Sequence, residues 1–280
     1  MKLYAIRAED FMLDGGGTFG VVPKTIWEKF YIADDRNLCN FSNRCLLVDN
    51  GEKKILIDTG MGHKRDDKFY QFKYLFGDND LLKSLSVIGC APEDITDVLF
   101  THLHDDHCGG ALRKDKESGE YSQVFPNAKH WVSRAQYNWA MNPNIREAAA
   151  YYAENWEPLR EAGKLHFIEK AGELYPGIFI HIFNGHTQGQ AIPEISYKEE
   201  KIVFAADFIP LTPHIPVPYI AAFDIQPLIA LEEKAKFLDY AANQGVILFF
   251  EHDFYTECCT LQRTEKGVRL GQILTLTELI

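Results

Sequence analysis

The sequence predicts a mixed α/β protein in which short apolar strands recur along the chain with helices between them. Three observations carry that expectation. Runs rich in β-branched and aromatic residues occupy 44–48, 54–57, 95–100, 178–183, 201–205 and 246–250, most of them bounded by turn residues. One long stretch, 227–243, opens on Pro227, carries Glu232-Glu233-Lys234 in its early turns and stops before Gly245, the start and stop signals of a helix. No repeat, low-complexity tract or linker divides the 280 residues, so a single domain, 1–280, of two β-rich halves is expected.

The elements follow in order. Residues 2–7 alternate well enough for an edge strand, and 44–48 with 54–57 flank the turn signal Asp49-Asn50-Gly51-Glu52, a hairpin. The second of these strands ends in Asp58-Thr59-Gly60-Met61-Gly62. The glycine run Asp14-Gly15-Gly16-Gly17-Thr18 reads as a flexible loop. A phosphate cradle would need a preceding buried strand and a following lysine-bearing helix. Residues 19–27, interrupted by Pro23, read as a loop near a pocket, where Phe19 and Trp27 could add apolar wall, although each alone suits core packing better. A short amphipathic helix is expected over 79–90 and a strand over 128–132. Ser133 then caps a helix through Met141, Pro143 breaks it, and strong helix formers from 145 to 162 end at Gly163. This makes a helical insert at about 133–163, whose Tyr151, Tyr152 and Trp156 suit core packing or the inner face of a lid. Further strands are expected at 165–167 and 194–197, the latter joined to 201–205 by the turn Lys198-Glu199-Glu200.

Composition narrows the function. With 29 basic and 40 acidic residues the formal charge is −11, which repels phosphate backbones and disfavours sequence-independent nucleic-acid binding. Cys39, Cys45, Cys90, Cys108, Cys258 and Cys259 form no C-x-x-C pair, as expected of reduced thiols in the cytoplasm. The first seven residues lack a signal-peptide pattern, and no run of eighteen apolar residues occurs, so neither export nor a membrane span is expected.

Chemistry concentrates at Thr101-His102-Leu103-His104-Asp105-Asp106-His107-Cys108-Gly109-Gly110. Three imidazoles and two carboxylates occupy six positions directly after an apolar strand, and neutral imidazole with carboxylate suits zinc above manganese or iron. An extended His-x-His turns both rings to one side, because strand side chains repeat every two residues. Four strands end in a metal-competent residue: 99–100 before His102, 180–183 before His186, 202–206 before Asp207, and 247–250 before His252. No G-x-S-x-G elbow competes with this cluster.

His102-x-His104-x-Asp106-His107 with Gly109 resembles the signature of the metallo-β-lactamase-fold metallohydrolases. Leu56-Ile57-Asp58-Thr59-Gly60, Gly185-His186-Thr187, Asp207 and His252 match its accessory motifs in order, over about residues 40–255. The resemblance implies an αββα sandwich of two mixed sheets flanked by helices, with two divalent ions, zinc above all, at one edge. His102, His104 and His186 would hold one ion, Asp106, His107 and His252 the other, with Asp207 bridging and Asp58 orienting a ligand imidazole. Asp106 would also take up a proton.

Within the superfamily, His104 stands where the flavodiiron branch carries glutamate, and Asp207 is usually lacking in true β-lactamases. The closest likeness is to the quorum-quenching N-acyl homoserine lactone lactonases, implying hydrolysis of a small lactone or ester. Alternatives are a thioester hydrolase of the hydroxyacylglutathione type, for which only Arg263, Lys266 and Arg269 offer a basic patch, and an iron-dependent persulfide dioxygenase. Two departures mark this chain. The tyrosine expected three residues after the bridging aspartate is Pro210, leaving Tyr219 or His214 to assist the carbonyl, and Gln188 and Gln190 replace the usual proline and histidine after Gly-His-Thr. The expected partner is a small ester, not nucleic acid or membrane; a homodimer is left open.

Overall fold

The computed structural model describes residues 1–279. The chain divides into two compact units, Met1–Asp10 with Asn43–Lys170, and Phe11–Ser42 with Ala171–Ile280. It is a mixed α/β protein built on mixed sheets and helices, as the sequence predicts.

In the first unit the strands are β1 (Lys2–Asp14), β2 (Leu38–Asp49), β3 (Lys54–Ile57), β4 (Asp97–Leu99), β5 (Leu112–Lys114), β6 (Tyr121–Gln123), β7 (Lys129–Ser133) and β8 (Leu165–Ile168). The far end of β1 and the near end of β2 run on into the second unit. The main sheet has the order β1-β2-β3-β4-β7-β8, and β5-β6 form a separate hairpin. The β2–β3 hairpin closes with Asp49 opposite Lys54, its turn tied by Gly51 N donating to Asp49 Oδ1. From β3 to β8 the pairs are parallel, so β3 and β4 deliver Asp58 and the histidine segment to the same, carboxyl edge of the sheet. Their continuous apolar character reflects burial on both faces: Leu56, Val98, Phe100 and Val132 belong to one core cluster.

The second unit holds β9 (Gly172–Tyr175), β10 (Ile178–Phe183), β11 (Gln190–Tyr197), β12 (Glu200–Phe204), β13 (Ile247–Phe249), β14 (Cys258–Thr264) and β15 (Gly267–Leu274), ordered β15-β14-β13-β12-β11-β10-β9. Only β12–β13 is parallel, and its crossover carries the helix Pro227–Gln244. That helix begins on proline, ends at Gly245 in the left-handed conformation, and buries Ala230, Phe237, Leu238 and Ala241 along one stripe.

Four expectations change. The glycine run is a short helix, Gly15–Phe19, because Asp14 accepts a capping bond from Gly17 N at 3.0 Å. Residues 19–27 include a helical turn, Lys24–Trp27, in place of a plain loop, while Phe19 and Trp27 are core, stacked at 4.7 Å, as each alone suits. In the expected insert, the capped helix is Arg134–Ala140, but 145–162 breaks into the turns Ala148–Ala150 and Ala153–Asn155 and the helix Glu157–Glu161. The β14–β15 hairpin was not anticipated, since its exposed residues blur any alternation. Among the described residues no helix is long and apolar enough to cross a membrane.

His130 on β7 is fully buried and, among the described residues, has no hydrogen-bond partner at either ring nitrogen. Burial, helped by Lys164, pushes its imidazole down to about 3. The folded chain therefore stays neutral there while the unfolded chain binds a proton below about 6.5. Stability is thus expected to fall by roughly 3 kcal/mol between pH 7 and pH 4 from this group alone. Urea unfolding of His130→Leu across that range should show a visibly flatter acid limb.

Candidate metal centre

The loop after β4 presents its histidines through one strained turn. Asp58, directly after β3, adopts φ +57 and receives Thr101 N at 2.7 Å and Thr101 Oγ1 at 2.6 Å. It also receives His107 Nδ1 at 3.0 Å. Gly109 lies so close to the Asp58–Gly62 turn that a Cβ there would meet Met61 O at 2.1 Å, which is why the segment requires glycine. The adjacent carboxylates have separate fates. Asp105 is buried against Lys73 Nζ at 2.8 Å, whereas half-buried Asp106 lies 3.7 Å from His107 Nε2. Sequence alone could not separate them.

Hydrogen bonding fixes the tautomers. Thr101 Oγ1 donates to Asp58, so it accepts from His102 Nδ1–H at 3.0 Å, leaving a lone pair on His102 Nε2. His104 Nε2–H donates to Glu147 Oε1 at 3.0 Å, leaving a lone pair on Nδ1. His107 donates through Nδ1 to Asp58, leaving Nε2. His102 Nε2 and His104 Nδ1 then face one another at 2.9 Å. Two buried acceptors aimed at each other are unfavourable unless a cation lies between them. The donors therefore fit a metal ion, with Asp58 and Glu147 fixing ring orientation from behind.

In the second unit Asp207 follows β12 and the strained Ala206, at φ +39. Its two oxygens diverge: Oδ2 lies 3.1 Å from His186 Nε2 and Oδ1 2.7 Å from His252 Nε2. His186 Nδ1–H donates to Asp224 Oδ1 at 2.9 Å, and His252 Nδ1–H to the Ser42 carbonyl at 3.0 Å. Burial pushes the His186 imidazole down, but the charges and hydrogen bonds of Asp207 and Asp224 carry it up to about 10. Here too each ring commits one nitrogen to an acceptor and turns the other toward a shared carboxylate.

Gly185 holds His186 in place. A Cβ on it would sit 2.4 Å from Ala230 Cα, while Glu233 accepts from the backbone N–H of Asn184 and Gly185 at 2.9–3.0 Å. Gly185→Val should force the strand end off the helix, costing about 2 kcal/mol or more, and should lower divalent-metal uptake. Urea unfolding and metal analysis on the same preparation check both effects.

Two predicted carbonyl-assisting residues fare differently. His214 is buried, stacked on Phe19 at 5.2 Å, and hydrogen-bonded through Nε2 to Thr18 O at 2.9 Å. Burial and Lys234 push its imidazole down to about 3, which keeps the ring neutral near pH 7. Tyr219 instead lines a cavity with Phe30 and Arg269. Their loop is pinned by Lys234, whose Nζ donates to His214 O and Tyr219 O at 3.0 and 2.6 Å, and by Asp253, which accepts from Thr212 N and Oγ1 at 2.8 Å. Sequence reasoning missed Glu147, Asp224 and the Ser42 carbonyl. Glu147 also accepts from Trp139 Nε1, Asn144 Nδ2 and Tyr151 OH at 2.7, 3.1 and 2.8 Å.

These features define a metal-dependent hydrolase, and the family model for the metallo-β-lactamase superfamily matches residues 40–252. The chain belongs to that superfamily. It is 25% identical to the N-acyl homoserine lactonase of Bacillus cereus, over 91% of this chain and 94% of the relative. The same values hold for N-acyl homoserine lactonase AiiA of Bacillus thuringiensis subsp. kurstaki. Among solved structures, a probable metal-dependent hydrolase from Staphylococcus aureus superposes with TM-score 0.88 at 28% identity, covering 98% of this chain and 96% of its own. AidC, a dizinc quorum-quenching lactonase in complex with a product, superposes with TM-score 0.75 at 25% identity, covering 98% and 95%.

Proposed function

We propose that this protein opens the ring ester of a small lactone, an N-acyl homoserine lactone, with two zinc ions as resident cofactors. By the motifs of the sequence, His102, His104 and His186 would serve one ion, and Asp106, His107 and His252 the other, with Asp207 shared. The observation that carries the dinuclear reading is the divergence of the Asp207 oxygens toward two different imidazoles. Support for the substrate comes from the lactonase relatives, which align over nearly the whole chain.

Divalent cations held by such donors supply Lewis acidity toward an ester carbonyl and a water ionised near neutral pH. The chain's own residues do the remaining work. Asp58, Glu147, Asp224 and the Ser42 carbonyl hold the imidazoles in one tautomer and one orientation. Asp106 offers a half-buried carboxylate to take up the proton released on attack and return it to the leaving alkoxide. A glutathione thioester is a poorer fit, because Arg263, one of three C-terminal cations available to it, is committed to Asp239 at 2.6 Å.

Metal-loaded protein incubated with lactones of several acyl lengths, with acid release followed by titration, tests the substrate. Lactone opening should exceed thioester and phosphodiester cleavage by at least about a hundredfold in kcat/KM, roughly 2.7 kcal/mol. Thioester cleavage without lactone turnover would overturn the assignment. Oxygen uptake with an iron-loaded preparation would point instead to the persulfide dioxygenase chemistry.

A further inference from the structure

The second unit carries a cavity of about 450 Å³ walled by Phe30, Pro213, Pro216, Tyr219 and Leu270, with Arg269 at its side. None of the proposed metal donors lines it. Its volume lies in the range of small-molecule sites, and its prolines make that wall rigid, so little ordering is needed on binding.

Charge is the exception in this apolar wall. Arg7, Arg134, Arg160 and Arg263 each sit on a carboxylate, as expected in a chain with 40 acidic residues. Arg269 does not. Among the described residues its guanidinium has no carboxylate partner, and Nη1 donates to the neighbouring Val268 carbonyl at 2.7 Å. The Tyr219 hydroxyl also lacks a hydrogen-bond partner among the described residues, although its backbone carbonyl is held by Lys234. A half-buried guanidinium and a phenol beside an apolar trough form a donor set that a carboxylate satisfies with parallel N–H···O bonds.

We propose that this cavity binds an amphipathic carboxylate, its acyl chain lying on Phe30, the prolines and Leu270 and its carboxylate held by Arg269, with Tyr219 as a second donor. The site is separate from the hydrolytic reading and does not depend on it. Each methylene buried there should strengthen binding roughly fourfold.

The test is calorimetric titration of the metal-loaded protein with octanoate, butyrate and 1-octanol. Octanoate should bind, and butyrate at least tenfold more weakly. 1-Octanol, of equal length but uncharged, should also bind at least tenfold more weakly than octanoate. Arg269→Leu should weaken octanoate at least tenfold, and Tyr219→Phe, which removes only a hydroxyl, two- to tenfold. Lys266→Leu, which removes an exposed cation from the adjacent turn, should change octanoate affinity less than twofold. Thermal unfolding of each variant shows whether the fold survives, and Tyr219→Phe carries the test if Arg269→Leu does not. The proposal is overturned if octanoate fails to bind, if 1-octanol binds as tightly, or if Lys266→Leu costs as much as Arg269→Leu. It is equally overturned if binding survives Arg269→Leu and disappears on stripping the metal, which would assign the ligand to the metal centre.

Discussion

Asp207→Asn is expected to lower lactone turnover at least about a thousandfold, roughly 4 kcal/mol of transition-state stabilisation, with the fold largely retained. The replacement keeps the shape and removes the charge that lies 3.1 Å from His186 Nε2 and 2.7 Å from His252 Nε2. An amide presents one acceptor and one donor, so it cannot offer an anionic oxygen to each of two cations. His104→Ala should be comparably severe, because it removes the Nδ1 lone pair facing His102 Nε2. Steady-state kcat/KM beside far-UV circular dichroism separates loss of chemistry from loss of structure. Full turnover in both variants would show that the ligand assignment is wrong.

Glu147→Ala should produce the largest effect of any residue outside the proposed donor set. Its carboxylate is buried and accepts from His104, Trp139, Asn144 and Tyr151. Truncation leaves several buried donors unsatisfied, at about 1–3 kcal/mol each, so stability should fall by roughly 3 kcal/mol or more. It also frees the His104 ring, and loss of such an orienting partner typically costs about 10–100-fold in metal affinity. Glu147→Gln keeps one acceptor oxygen and should lie between the two. Urea unfolding of metal-free protein measures the first effect, and zinc competition against a chelator the second. Unchanged zinc affinity in Glu147→Ala would show that His104 needs no support from behind.

The proposed donors stand out in the sequence because chemistry and backbone agree locally. His102, His104, Asp106 and His107 lie in one short segment after β4, while His186, Asp207 and His252 each follow an apolar strand. What stands behind them was not legible. Glu147 is 43 positions from His104, Asp224 is 38 from His186, and Ser42 is 210 from His252, so no spacing rule links them. The insert shows the same limit. Its Ala- and Glu-rich composition favours a helix, but the chain breaks there, with Tyr151 in an isolated bridge to His104 and Glu147 against the same ring. Tertiary demand overrides local propensity at that point. Asp58 was legible as a residue, although its positive φ was not.

The most direct measurement is elemental analysis of protein saturated with zinc and then freed of loose metal, for the unaltered chain and Asp207→Asn in parallel. We expect about two ions per chain in the first and clearly fewer in the second. One ion or none in the unaltered chain, or two retained without Asp207, would contradict a dinuclear centre built on that carboxylate.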